Sequence, residues 1–248
     1  MDSLDFTILL PAFIAGVLVL TTHIPLGMKV LQRGIIFADL AVAQIAGLGV
    51  IIAGLLGYTE NPLAVQGIAV ASALIGAVLL AYAEHRFSEV QEAIIGLLFV
   101  LAATGGILLM SRDVHAGEHL QNLLVGQILW VSHTQLIITA VLSTLILLMW
   151  RVVQHSLGTF GFYVLFALAI TTSVQLVGVY LVFASLIVPA LATHDVRGHR
   201  RLVAYLIGIA GYLAGLLLSV WYDLPAGAAI VWAMALIGAA RFFTHNRK

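Results

Sequence analysis

The sequence predicts an all-α, polytopic integral membrane protein with eight or nine transmembrane helices, laid out as a single domain over residues 1–248. Three observations carry that prediction. The chain is 62% hydrophobic and 9% charged, where a soluble domain carries roughly a quarter charged residues. Its apolar residues fall in blocks of about twenty, each enough to cross a hydrocarbon core of roughly 30 Å. Its Lys and Arg residues collect almost entirely in alternate connections, the pattern of short cytoplasmic loops.

The blocks are read at 6–26, 35–57, 63–83, 91–110, 133–150, 161–177, 178–193, 202–221 and 226–243. The first is a retained span rather than a secretory leader, because Asp2 and Asp5 stand where a basic n-region belongs. Pro25, Gly27 and Gly34 end it and restart the chain, and Asn61-Pro62 turns the chain before the third span. Residues 161–193 hold no charge and are too long for one simple span. They are read as a tight hairpin with its second arm bent at Pro189; a single tilted span is the alternative and gives the count of eight.

The hairpin reading puts Lys29, Arg33, Arg86, Arg151, Arg197, Arg200, Arg201, Arg241, Arg247 and Lys248 on one side, and only Arg112 on the other. Basic loops stay inside, so the N-terminus is expected outside and the C-terminus in the cytoplasm. Glu60, the 111–121 loop and Asp223 then face out. Small residues at Ala43 and Gly47, Ala46 and Gly54, and Gly211-x-x-x-Gly215 let helices approach closely, within one protomer or across a dimer seam. Trp130, Trp150, Trp221, Tyr222 and Trp232 sit near span ends, as an interfacial belt does.

Several chemistries are excluded. There is no cysteine, which removes disulfides, thiolate metal sites and cysteine nucleophiles. Zero formal net charge gives no sign of a nucleic-acid partner. No G-x-x-x-x-G-K-[ST] string occurs, so nucleotide is not bound here through a P-loop.

What remains is a sparse set of polar groups in apolar surroundings. The stretch RGIIFADLAVAQIAGLGVIIAG (33–54) carries Asp39 and Gln44, and an ionised carboxylate near the bilayer centre costs about 2.5–3.5 kcal/mol. Asp39 either stabilises the positive end of its helix, worth about 0.3–1 kcal/mol, or lines a hydrated path for a divalent cation. The second reading is preferred, since intramembrane acids usually mark pathways. Asp223, followed by Pro225, is a turn former or a ligand at an outer gate. Asp39 and Asp223 are expected near opposite faces, as two stations on one path. His23, near the end of the first span, reads as an interfacial histidine before it reads as a ligand.

SRDVHAGEHLQN (111–122) is the densest polar cluster and contains a formal H-x-x-E-H string. On a helix His115 and His119 would share one face, with Glu118 as a base, the inverted form of a zinc-protease motif. Gly117 weakens helix there by about 1 kcal/mol relative to Ala, and no third ligand stands out. A solvated loop comes first, a surface that hands metal inward second, and a protease third. Imidazole and carboxylate suit Zn²⁺, Mn²⁺ or Fe²⁺ alike.

Four stretches resemble one family in the right order. GVYLVFASLIVPALATH (178–194) is similar to the penultimate signature of the ABC-3 permeases, the membrane subunits of zinc/manganese-type ABC importers. WYDLPAGAAIVW (221–232) resembles that family's Tyr-Asp-x-Pro-Ala-Gly element, and PLGMKVLQRGIIFADLAVAQIAG (25–47) its opening block. HLQNLLVGQILWVS (119–132) resembles its Leu/Gly-Asp-Ile-Leu element, with Gln127 where Asp is usual. The resemblance implies a homodimeric permease without an ATPase motif of its own or a bound cofactor. It also implies a partner ATPase that holds the ATP, and an extracytoplasmic metal-binding protein. Cargo would be a divalent transition metal, zinc first, taken in by alternating access.

Two departures stand out. The family's His four residues after the second-helix Asp is replaced by Ala43, beside Gln44, so another residue such as His23 would complete the ligand set. The cytoplasmic segment RVVQHSLGTFG (151–161) is shorter than the family's ATPase-docking segment, which leaves HDVRGHRR (194–201) as the other available surface. A gradient-driven carrier and a membrane zinc protease built on His115, Glu118 and His119 are the rival readings.

Overall fold

A computed structural model describes residues 6–111, 124–156, 158–196 and 198–245. Its main helices are α1 (Phe6–Arg33), α2 (Ala38–Leu55), α3 (Pro62–Arg86), α4 (Gln91–Leu109), α5 (His133–Ser156), α6 (Gly158–Val177), α7 (Val179–Ala192), α8 (Arg200–Tyr222) and α9 (Ala226–His245). Eight are long and apolar enough to cross a membrane, and only α7 falls short. The all-α, polytopic expectation holds. The interior is a continuous apolar core of small and branched residues, with Tyr163, Phe166 and Tyr212 the largest side chains fully inside.

The first span is longer than its composition suggests. Pro25 and Gly27 were expected to end it, yet α1 runs through both for 28 residues, roughly 42 Å at 1.5 Å per residue. A proline inside a helix strips the carbonyl four residues earlier of its N–H partner. That carbonyl belongs to Thr21, and the Tyr205 hydroxyl of α8 donates to it at 3.2 Å. In an apolar bundle a freed backbone group has to be satisfied by neighbouring protein, and α8 does so here. The chain turns instead at Gly34, whose φ of 70° is a left-handed conformation open to glycine.

The charge-free stretch 161–193 breaks at Gly178, where the hairpin reading places its turn. Its two flanks return to the same end of the bundle. Thr159 and Tyr163 bond to Glu84, which pairs with Arg33 at the end of α1. Gly198 to Leu202 lie against Pro25, Met28, Lys29 and Gln32 of the same end. The second arm is short, however. With 14 residues, roughly 21 Å, α7 is too short to cross a hydrocarbon core of roughly 30 Å by itself. The arms also part company: α6 packs on α3 and α5, α7 on α1 and α9.

Gly178 has φ 82° and ψ 163°, a region essentially reserved for glycine. A Cβ there would meet the backbone of Val125 and Gly126, and one on Gly126 would meet the backbone of Val177 and Gly178. Two chain segments thus touch backbone to backbone at the tip. The Gly211 and Gly215 pair lies against Met234 and Ile230 of α9, so this small-residue stripe serves packing within the chain.

At the Arg33 end, four helices are tied by one polar knot. Arg33 Nη1 donates to both Glu84 carboxylate oxygens at 3.2–3.3 Å and its guanidinium lies 4.3 Å over the Phe162 ring. Tyr163 donates to Glu84 at 2.8 Å and accepts from the Gln91 amide at 2.8 Å. Glu84 is the shared acceptor. Replacing it by Ala leaves buried Tyr163 and Gln91 without that anchor, a loss on the order of 1–3 kcal/mol, and thermal melting of the purified protein should register it as a clear downward shift. Gly178→Ala should cost at least ~1–3 kcal/mol of backbone strain and also force the tip contact apart. An unchanged melting temperature in G178A would refute the close backbone contact at Gly126.

Candidate functional site

A large apolar cavity among the described residues combines helices from both halves of the chain. It holds about 610 Å³ and is bounded by α2, α4, α7 and α9, with the end of α6. On α2 its lining repeats as Leu40, Ala43, Gln44, Gly47, Leu48 and Ile51, one stripe of a 3.6-residue helix. On α4 the stripe is Phe99, Ala102, Ala103, Gly106 and Ile107. The wall is mostly apolar; Gln44 contributes an amide, Tyr180 a hydroxyl and Trp232 an indole.

Asp39 does not itself line this cavity; Leu40 beside it does. It is in the first turn of α2, one turn before Ala43 and beside Leu40. Asp39 is 1% exposed, and its carboxylate has no side-chain hydrogen-bond partner, only the backbone N–H groups of Asp39 and Leu40 in its own turn. Buried polar groups are nearly always paired, and a carboxylate short of partners is among the costliest groups to bury. The helix N-terminus offsets some of that cost, since Asp39 lies in the first turn. Two residues before Asp39, Phe37 stacks on Phe183 of α7 at 6.4 Å between ring centroids.

Glu92 is the residue that the sequence reading passed over. It lies in the first turn of α4, and its Oε1 accepts the Phe37 N–H at 3.1 Å, two residues before Asp39. Its other oxygen, Oε2, is buried without a partner. The signal was available: Glu92 opens the fourth apolar block just as Asp39 opens the second.

The remaining candidates are dispersed. His23 is fully buried rather than interfacial, because α1 continues beyond it by roughly 15 Å at 1.5 Å per residue. Its Nδ1 bonds the Val19 carbonyl at 2.9 Å; a carbonyl only accepts, so Nδ1 carries the proton and Nε2 is left as a lone pair, buried and without a partner. α1 packs on α5, α6, α7 and α8, not on α2, so His23 and Asp39 lie on different helix pairs. Gln44 lines the cavity above Asp39. Asp223 ends α8 in a left-handed conformation, φ 50°, in an exposed turn braced by Ser219 donating to the Leu224 carbonyl at 2.7 Å. It sits at the opposite end of the bundle from Asp39. His115, Glu118 and His119 lie outside the described residues. Among the described residues, no three His, Asp or Glu side chains gather around one point.

The fold is shared with solved structures, and the sequence with several relatives. The solved structure of PsaBC from Streptococcus pneumoniae in complex with Fab superposes with a TM-score of 0.76 at 22% identity, covering 96% of this chain and 92% of that one. A second solved structure, an inward-facing conformation of a putative metal-chelate type ABC transporter, gives 0.65 at 19% identity, over 95% and 84%. In sequence, the chain is 27% identical to the manganese transport system membrane protein MntC of Halalkalibacterium halodurans, over 97% of this chain and 88% of the relative. It is 25% identical to the high-affinity zinc uptake system membrane protein ZnuB of Haemophilus influenzae, over 98% and 99%. Residues 5–162 and 151–244 match the profile of the ABC 3 transport family, and with nearly its whole length accounted for, the chain belongs to that family.

Proposed function

We propose that this chain is the membrane permease subunit of an ATP-driven importer of divalent transition-metal ions. Its relatives are named for manganese, zinc and iron transport. Zinc is our first choice of cargo, with manganese and iron close behind because all three accept carboxylate and imidazole ligands. Two copies would pack about the α2, α4, α7 and α9 face, joining their cavities into one path. A separate ATPase would dock at the Arg33 end, against the α5–α6 corner and residues 194–201, and an extracytoplasmic metal-binding protein would deliver the ion at the Asp223 end.

The observation that carries this reading is Asp39: a buried carboxylate with no side-chain partner, one turn before the α2 residues that line a cavity for roughly 16 Å. A passing cation supplies the counter-charge the protein withholds. An unpaired acid also keeps the ion from being held too tightly, which release on the far side demands. Ala43, where the family's histidine would stand, lines the cavity and offers no ligand, so the ion would be held by oxygen donors and water.

Family membership favours transport over the protease reading. The gradient-driven carrier keeps one structural support: α5 ends at Ser156 and α6 begins at Gly158, so the corner holds no separate helix for an ATPase to grip.

In cells expressing the permease with its ATPase, Asp39→Asn should cut ⁶⁵Zn²⁺ or ⁵⁴Mn²⁺ uptake at least ~10-fold, the scale of losing a transition-metal ligand contact, while membrane levels of the protein hold. Full uptake by D39N would remove the acid from the path. Uptake in vesicles that needs internal ATP and resists a protonophore supports the importer; collapse under the protonophore with ATP present supports the carrier.

A further inference from the structure

Three cationic residues border another cavity, at the Arg33 end of the bundle. It holds about 530 Å³ between Pro25, Lys29 and Gln32 of α1, Trp150 of α5 and the start of α8, residues 198–202. Lys29, Arg200 and Arg201 supply the charge, and among the described residues the lining carries no carboxylate. Cations gathered without an acid repel one another. Arg200 donates from Nη2 to the Ala190 carbonyl at 3.2 Å, yet its Nε is buried with no acceptor. Buried donors are nearly always paired, so the lining is short of an anion. α8 also starts without a side-chain cap, and its first-turn N–H groups add to the positive field.

The surroundings suit a lipid better than a soluble anion. Leu18, Thr21, Pro25, Lys29 and Gln32 of α1 are at least partly exposed and, at spacings of three and four, share one face. α5 and α8 both pack on α1 while making little contact with each other, so this face leads from the cavity into the groove between them. Leu202, itself in the lining, begins an α8 stripe that continues through Leu206 and Leu213, all at least half exposed. Such leucines on a spanning helix meet acyl chains, and a tryptophan at a span end, here Trp150, marks headgroup depth.

We propose that this cavity seats the headgroup of an anionic phospholipid, with its phosphate held by Lys29, Arg200 and Arg201 and an acyl chain laid along α1 between α5 and α8. The positive-inside pattern puts this end in the cytoplasm, where the leaflet is anionic and basic pockets between helices take such headgroups. The proposal stands apart from the reading of Asp39 and from the choice of cargo.

The full chain, purified in a neutral detergent, is titrated with phosphatidylglycerol or with phosphatidylcholine of the same acyl chains. Native mass spectrometry counts bound lipid, and the melting temperature follows stabilisation. Phosphatidylglycerol should bind at least ~10-fold more tightly than phosphatidylcholine and raise the melting temperature. Lys29→Gln and Arg201→Gln leave the Arg200 bond to Ala190 in place. Each should weaken phosphatidylglycerol about fivefold, the scale of one basic residue at an anionic surface, with phosphatidylcholine binding and lipid-free melting unchanged. Arg86→Gln, which removes a charge from the same end outside the cavity, should change neither lipid. A parent protein with no preference for phosphatidylglycerol overturns the proposal whatever the variants do. If R86Q weakens phosphatidylglycerol as much as K29Q, the lipid reads overall surface charge and there is no seat. If the parent shows no preference and K29Q and R201Q instead lose the co-purifying ATPase, the cavity takes an acidic segment of that partner, and the proposal falls.

Discussion

In hydrocarbon a polar group has no water to turn to, and every buried donor or acceptor has to find its partner inside the chain. This one constraint orders the bundle. It explains why Pro25 can sit within α1: the Thr21 carbonyl it frees is met by Tyr205. It explains the knot at the Arg33 end, where Arg33, Glu84, Tyr163, Gln91 and Thr159 answer one another. It also explains why Ser185 and Tyr212, both fully buried, bond at 2.9 Å in the core.

Against that background the exceptions carry the information. Among the described residues, both oxygens of Asp39, one oxygen of Glu92, one nitrogen of His23 and Nε of Arg200 are buried without a side-chain partner. A bundle that satisfies a proline-freed carbonyl from another helix does not lack the means to satisfy an acid. Arg33, by contrast, is paired with Glu84 in the knot.

The hairpin of α6 and α7 shapes the other wall. Its tip touches Gly126, and α7 then places Tyr180, Phe183 and Ala184 along the cavity. Because Phe183 stacks on Phe37, the hairpin also reaches the start of α2.

Much of this was legible in the sequence. Block length and hydropathy determined the helices, since crossing hydrocarbon requires about twenty apolar residues in a row. The same constraint exposed Asp39, because an acid in such a block is costly and rare. The absence of charge across 161–193 and the placing of Lys and Arg were enough to suggest a hairpin. What only the tertiary structure decided were matters between helices. Whether Pro25 ends α1 depends on a hydroxyl some 180 residues away. Whether Glu92 is a free acid or holds the Phe37 N–H depends on α4 packing against α2. Whether His23 meets water depends on how far α1 runs. A single helix's periodicity reports which face is apolar, but the partner that covers that face, or fails to satisfy a group on it, is set by contacts distant in sequence.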